Sequence, residues 1–410
     1  MKDWSEMPLG KLLRIKHGFA FKGEHFSDRG DYILLTPGNV YPTGGLKLKG
    51  DKETFYTGDI PRAYVFAKGD LVLVMTDLTQ DASILGGAML IDKSELYLHN
   101  QRLGLVSHTA EIYRRFLYQY FNWQFFRDQV KASSNGATVK HTSPGRIYQC
   151  RIFRPPVSTQ KKIAAVLSAY DELIETNKRR TELMEKLAEE TYREWFVRLR
   201  FPGHENVKKV KGVPETWDNT RFGKFCMLKR GYDLPDKNVE PGEYPVIAST
   251  SIKTYHHEFK VNPPVITTGR SGSLGTVLMV HSKAWPLNTA LYVKDFLGNS
   301  PYFVFYTLKG MKLENFNSGA GVPTLNRNHI NGIQMAVPDK DLQSRFDSVV
   351  VPLHNQKVQI LKANAILTQM KAAFLPRLLS GKLPVATLDI QFPPGMAEEL
   401  NTEPTASSHA

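Results

Sequence analysis

Trp4-Ser5-Glu6-Met7-Pro8-Leu9-Gly10-Lys11 and Trp217-Asp218-Asn219-Thr220-Arg221-Phe222-Gly223-Lys224 are two copies of one opening, and their recurrence decides how the chain is organised. At the same offset Lys16 and Gly18 meet Lys229 and Gly231. Further along, Gly136, Val139, Ile147, Pro155 and Gln160 correspond in order to Gly319, Val322, Ile330, Pro338 and Gln343, and each copy then runs into a long helical segment. The order is globule, helix, globule, helix. Two copies of one recognition unit held apart by helices suit a ligand with two separated parts.

Composition agrees with two folded cores. The 410 residues are 41% hydrophobic and 23% charged, which is ordinary for soluble globular domains. Lys and Arg outnumber Asp and Glu by 53 to 40; the formal charge of +13 favours a polyanionic partner without choosing among DNA, RNA and anionic lipid. The start, Met1-Lys2-Asp3-Trp4-Ser5, lacks the apolar core of a signal peptide, and no run is apolar enough to span a bilayer, so a cytoplasmic location is expected. The two cysteines, Cys150 and Cys226, exclude a disulfide framework and a Cys-rich metal site, and both read as small buried apolar side chains.

The first globule mixes β-rich runs, such as Tyr32-Ile33-Leu34-Leu35 and the stretch from Asp70 to Met75, with Gly, Pro and Thr punctuation. The stretch from Arg114 to Phe126 reads as one helix whose aromatics fill the core. In the second globule Val246-Ile247-Ala248, Val265-Ile266-Thr267 and the run from Thr276 to Val280 read as strands; Tyr302 to Leu308 is helix or strand alone, and the repeat favours helix. After Pro156, Ile163, Leu167, Tyr170, Ile174, Met184, Ala188 and Trp195 recur at helical spacing, and Phe346, Leu353, Ile360, Leu367 and Phe374 recur at heptad spacing. Pro352 is expected to split the second helix into a short piece ending near Val351 and a long one reaching Leu379, ~40 Å at about 1.5 Å per residue. The two seams most simply bury one another as an antiparallel pair, with Asn177 either fixing register or facing solvent.

Thr268-Gly269-Arg270-Ser271-Gly272-Ser273-Leu274-Gly275 follows a strand and offers backbone amides and a guanidinium to a phosphate or a base edge; a tight β-turn without ligand is the competing reading. It lacks the Gly-Lys-Ser/Thr ending of a nucleotide loop. Its counterpart in the first globule is expected at Leu85-Gly86-Gly87-Ala88, without the Arg. The stretches from Gly136 to His141 and from Gly319 to Arg327, just before the helices, carry Gly, hydroxyls, Asn and a base, useful for approach to a groove. Asn262-Pro263-Pro264-Val265 lacks the aromatic that would stack on a flipped base and reads as a turn leading into a strand. No His-Glu-x-x-His arrangement, cofactor loop or nucleophilic triad is present, so the chain reads as a reader and not a catalyst.

These residues resemble the specificity subunit of type I restriction-modification systems over nearly the whole chain. The pieces that carry the likeness are Gln160-Lys161-Lys162-Ile163-Ala164, Leu199-Arg200-Phe201-Pro202-Gly203-His204, Gly212-Val213-Pro214-Glu215-Thr216-Trp217, Gly269-Arg270-Ser271-Gly272 and Trp285-Pro286-Leu287-Asn288-Thr289. The first globule departs from the pattern, with Asn100-Gln101-Arg102-Leu103 set against Asn288-Thr289-Ala290-Leu291. The expected fold is α+β: two β-rich target-recognition domains separated by two long helices forming an antiparallel coiled coil, as a pseudo-two-fold repeat. The expected boundaries are a first recognition domain over 1–155, a helical spacer over 156–203, a linker over 204–216, a second recognition domain over 217–338, a second spacer over 339–380 and a disordered tail over 381–410. The resemblance implies a non-catalytic subunit reading double-stranded DNA in two half-sites. It further implies docking of two methyltransferase subunits, which bind S-adenosylmethionine, and of restriction subunits, which use ATP and Mg; this chain binds no cofactor or metal. Candidate DNA contacts are Lys22, Arg102, Lys140, His141, Arg270, Ser271, Asn326 and Arg327, and candidate subunit contacts are Trp195, Phe196 and Phe374. A free-standing coiled-coil scaffold with basic protein- or membrane-binding globules is the alternative, and sequence-specific duplex binding separates the two. An autonomous methyltransferase would need a cofactor loop that the sequence lacks.

Overall fold

The computed structural model describes residues 4–79, 81–136, 139–319 and 321–397. The chain forms two compact units, Met1–Asn177 with Ala363–Ala410, and Lys178–Lys362. Each unit takes a globule together with a share of both long helices.

In the first unit an antiparallel sheet runs in the order Leu13–His17, Leu103–His108, Leu71–Val74, Ala88–Leu90. Leu71–Val74 is buried throughout because it feeds two cores at once. Side chains alternate across a strand, so Leu71 and Leu73 enter a core with Leu9, Phe116 and Ile147, while Val72 and Val74 join another around Phe66 and Tyr97. The aromatic stretch expected as one helix is two, Arg114–Phe121 and Gln124–Ala132. Asn122 marks the break: its Oδ1 accepts from Ala88 N–H at 2.9 Å and its Nδ2 donates to Tyr118 O at 3.1 Å, tying the helix end to the sheet edge. Phe116, Tyr120, Phe121 and Phe126 are fully buried.

The second unit repeats the sheet as Met227–Arg230, Ala290–Asp295, Val265–Gly269 and Val277–Val280. Pro301–Gly310 is helical, as the repeat suggested, and Ser300 Oγ caps it by accepting Phe303 N–H at 3.1 Å. The ladders fix which residues correspond. Gly104 lies opposite His17 and Leu291 opposite Arg230, while Leu103 lies opposite Val74 and Ala290 opposite Gly269. Gln101 and Arg102 therefore match Asn288 and Thr289, one position from the expected correspondence, and Met75 stands where Arg270 stands. Leu85-Gly86 matches Leu274-Gly275, the far end of the loop. Between these points the first unit spends Thr76 to Ile84 and the second only Ser271 to Ser273, a length difference that hides the register from sequence.

The first long helix runs Val157–Tyr192 and continues through a π-helical turn, Arg193–Val197. The second runs Lys340–Leu379 without the expected break at Pro352. Pro352 and Ser348, whose carbonyl loses its partner to the proline ring, are both exposed, so water can satisfy that oxygen. Phe346, Val350 and His354 keep the opposite face buried across the proline. The antiparallel sense is visible inside each unit. In the first, Ile163 and Leu167 share a core with Leu375 and Leu379, Tyr170 meets Phe374 at 6.2 Å between ring centroids, and buried Asn177 donates Nδ2 to Asn364 Oδ1 at 2.8 Å. In the second, Glu185 pairs with Lys357 and Phe196 meets Phe346 at 5.1 Å. The segment expected to be a disordered tail from residue 381 is ordered through Ala397. Met396 is fully buried, Lys162 Nζ donates to the carbonyls of Ala386 and Leu388 at 2.7 Å, and Glu172 accepts Gly395 N–H at 3.2 Å. Residues 398–410 lie outside the described ones.

Two histidines are held neutral inside these cores. Desolvation pushes His99, in the first unit, and His354, whose Nε2 lies 2.8 Å from Tyr306 Oη in the second, from the ordinary 6.5 down to about 4. The unfolded chain then binds more protons than the folded one between these values. This contribution to stability is full above about pH 6.5 and declines as pH falls toward about 4, by at most ~1.4 kcal/mol per pH unit for each histidine. Urea unfolding between pH 7 and pH 5 is expected to show this decline, and His354→Gln should flatten the share that belongs to the second unit.

Candidate nucleic-acid interface

Both units end their central strand in the same hydrogen-bonded joint. In the second, Val265–Gly269 delivers Arg270 between two loops. Arg270 N–H donates to Thr289 O at 2.8 Å, Leu325 N–H donates to Arg270 O at 2.8 Å, and Gly272 N–H donates to Pro323 O at 2.9 Å. The two stretches singled out in the sequence thus form one surface. Ser271 is fixed by its backbone, its N–H donating to Thr289 O at 3.1 Å and its carbonyl accepting from Ser249 Oγ at 2.8 Å. The half-buried Arg270 guanidinium donates to Asn288 O at 3.2 Å, and Asn288 Nδ2 donates to Asp233 Oδ1. Gly269 admits no side chain, since a Cβ there would lie 2.0 Å from Ser273 O. Asn326 is exposed but committed to the fold: its Oδ1 accepts Asn328 N–H at 3.0 Å and caps the turn of helix Arg327–Asn331, leaving Arg327 as the exposed cation beside it.

The first unit makes the same bonds with other residues. Met75 N–H donates to Arg102 O at 3.0 Å and Thr142 N–H donates to Met75 O at 3.0 Å. Lys140–His141 pairs with Thr76–Asp77, and His141 Nδ1 lies 3.0 Å from Thr76 Oγ1, so this loop too is brought to the strand end. Arg102 is exposed on the same rim. Lys22 stands on a separate turn before Gly23–His25, 75% exposed and 3.7 Å from Glu24; no hydrogen bond among the described residues joins it to the joint. Asp77 was missed by sequence reasoning. It is fully buried, its Oδ1 accepting from Thr79 N–H at 2.8 Å and its Oδ2 from Ile84 N–H at 2.8 Å, so it shapes the longer loop. The Asp-x-Thr spacing of an Asx-turn was its available signal.

The three aromatics expected at a subunit interface pack within the units. Phe196 is buried in the second core, 4.7 Å from Phe303 and 5.1 Å from Phe346 between centroids, and Trp195 and Phe374 are partly buried against Phe346 and Tyr170. Tyr192 and Phe196, four residues apart, share one helix face and both turn into the second core, Phe196 from within the π-helical turn. Large apolar side chains that the long helices expose include Leu173, Ile366 and Met370 in the first unit and Leu183, Leu187, Val197, Val349 and Leu361 in the second. A cavity of about 410 Å³ in the second unit lies on its helical side, lined by Glu185, His281, His354 and Lys357, and does not touch the joint. Among the described residues no cluster of His, Cys, Asp or Glu could hold a metal ion.

The sequence pattern of the family described as the type I restriction modification DNA specificity domain matches residues 1–186 and again 214–366. The chain is 25% identical over 352 residues to the type I restriction enzyme MjaIX specificity subunit of Methanocaldococcus jannaschii, covering 79% of this chain and 80% of that protein. It is 28% identical over 256 residues to the type I restriction enzyme EcoBI specificity subunit of Escherichia coli, covering 59% of this chain and 50% of that one. The crystal structure of the type I restriction-modification system S subunit from M. genitalium superposes with a TM-score of 0.60 at 17% identity, covering 92% of this chain and 96% of that one, a likeness of fold.

Asn326 and Arg327, adjacent in sequence, are expected to behave differently. Asn326→Ala removes a cap and should lower unfolding stability by about 0.5–2 kcal/mol. Arg327→Ala should leave the urea midpoint in place and weaken binding to all duplexes alike, with a shallower salt dependence. Denaturation and salt-titrated duplex binding of the two variants check both.

Proposed function

Because this chain belongs to the type I restriction modification DNA specificity family, it is the DNA specificity subunit of a type I restriction-modification system, and we propose that each of its two units reads one half of a split duplex target. Subunits of this family are non-catalytic within the complex and carry no cofactor of their own. The observation that supports a split target is the duplicated joint: two sheets of identical strand order end in identically bonded loop pairs whose exposed side chains differ. The same frame with different lettering suits two different half-sites. Base edges carry the sequence information, while the lysines and arginines around them bind phosphate and set orientation.

Chemistry on DNA then falls to partners. Two methyltransferase subunits would supply S-adenosylmethionine and methyl transfer, and restriction subunits would supply ATP and Mg chemistry. The helical leucines, isoleucine and methionine left in water are suited to docking them, since exposed apolar groups of this size mark interaction sites. Among the described residues no helix is long and apolar enough to cross a membrane. A chain acting on chromosomal DNA is expected in the cytoplasm.

Exchanging the first globule, residues 1–155, for that of another family member should change one half-site in the methylation motif of cells carrying the system and leave the other intact. Both halves changing together would sink the two-reader model. Because both long helices run from one unit into the next, a heptad inserted after Arg180 and another after Leu361 keeps each seam on its face. It should add about 10 Å of helix and lengthen the unspecified spacer by roughly three base pairs at about 3.4 Å each. Leu183→Asp combined with Leu187→Asp should abolish co-purification of a methyltransferase subunit while leaving the thermal transition of the isolated chain in place.

A further inference from the structure

The two joints present a guanidinium from different strands of one ladder, and two neighbouring residues change with it. Met75 and Arg102 are bonded neighbours, Met75 N–H to Arg102 O at 3.0 Å; Arg270 and Thr289 are the same neighbours in the second unit, at 2.8 Å. In the first unit the central strand ends in an apolar residue, Met75, 2% exposed and part of the main core, while the adjacent strand brings Arg102 to the surface. In the second the central strand ends in Arg270, and the adjacent strand supplies only Thr289.

A third position explains why the two arrangements do not mix. Gly104 and Leu291 occupy the same place in the ladder, opposite His17 and Arg230. A Cβ at Gly104 would lie 2.7 Å from Met75 Sδ and 2.5 Å from Ile15 Cγ2, so the methionine occupies the volume that a side chain at 104 would need. In the second unit Leu291, 2% exposed, has that volume for its own side chain, and residue 270 is released from the core and left half-buried and polar. Close packing opposes hybrids: a polar residue at 75 beside Gly104 leaves a void, and a leucine at 104 beside Met75 overfills the site.

We infer that this three-residue set, Met75–Arg102–Gly104 in one unit and Arg270–Thr289–Leu291 in the other, determines which strand presents the base-reading guanidinium, and that Arg102 and Arg270 each read a guanine edge in their own half-site. The inference rests on the split-target reading. Both arginines stand on a fixed backbone: Arg102 N–H donates to Asn100 Oδ1 at 3.0 Å while its carbonyl accepts Met75 N–H, and Arg270 is further braced as its guanidinium donates to Asn288 O. A positioned planar fork is what the two acceptors of a guanine major-groove edge require. A guanidinium moved from one strand to the next travels about 4.8 Å, one to two base-pair steps at about 3.4 Å each.

Mapping methylated sites in cells that carry the intact system tests this. Arg270→Ala should relax a single guanine in one half-site by about tenfold or more, and Arg102→Ala a single guanine in the other. The triple variant Arg270→Met, Thr289→Arg, Leu291→Gly should fold and shift the preferred guanine by one or two base pairs within the second unit's half-site alone. The inference is overturned if each single alanine variant lowers methylation at all sites equally, the signature of a phosphate contact, or if a folded triple variant keeps the parent motif; in both cases the split target itself stands. A parent motif that proves to be one undivided sequence overturns the split-target reading and the inference with it.

Discussion

A strand buried on both faces has its register fixed from two sides, and both units of this chain depend on that constraint. Leu71 and Leu73 belong to one core and Val72 and Val74 to another; Val265–Gly269 is likewise buried along its whole length. Slipping either strand by one residue would send every side chain to the wrong core. The residue after the strand is therefore held in one place relative to the sheet, and the adjacent turn and the returning loop are bonded to its backbone. The loops at the two strand ends differ between the units, while the frame that carries them is the same.

The duplication was legible because it is written in residues with one structural use. Trp217 at an entry corner, Gly18 and Gly231 where a Cβ would lie 2.1 and 2.2 Å from backbone oxygens of Asn100 and Leu287, and Gln160 and Gln343 holding the start of each long helix cannot be replaced freely. What escaped the sequence depended on partners far away in it. The break at Asn122 is set by Ala88 across the sheet, the continuity of the helix through Pro352 by which side of the helix meets water, and the order of the tail through Ala397 by contacts to Lys162 and Glu172. Apolar periodicity found both helical seams, yet it could not tell a core aromatic such as Phe196 from a partner-facing one, because what covers that face is the second globule's Phe303 and the other helix's Phe346, far away in sequence.

The candidate site was legible as segments and not as pairs. Arg270, Ser271, Lys140 and His141 do lie at the joints, since glycine-rich and hydroxyl-rich turns after strands are where backbone approaches a ligand. Asn326 illustrates the ambiguity of such residues: the same short amide that could bond a base edge here caps a helix. The correspondence of Met75 with Arg270 needed the ladder itself, because the intervening loops differ in length and composition.

The helical seam adds a constraint of another kind. Asn177 and Asn364 satisfy one another, and Asn364 Nδ2 also reaches Ile174 O at 3.3 Å, so a polar pair, buried at Asn177 and half-buried at Asn364, sits where leucines would pack more favourably. An all-apolar heptad seam is nearly indifferent to a slip of seven residues, whereas a slipped seam here would leave the buried Asn177 amide without its partner, at a cost of about 1–3 kcal/mol. Such a slip displaces one helix along the other by about 10 Å, the length of roughly three base pairs. Under the proposed split target, where specificity is a distance as much as a sequence, a polar pair that holds register at the expense of some stability is what the function would require.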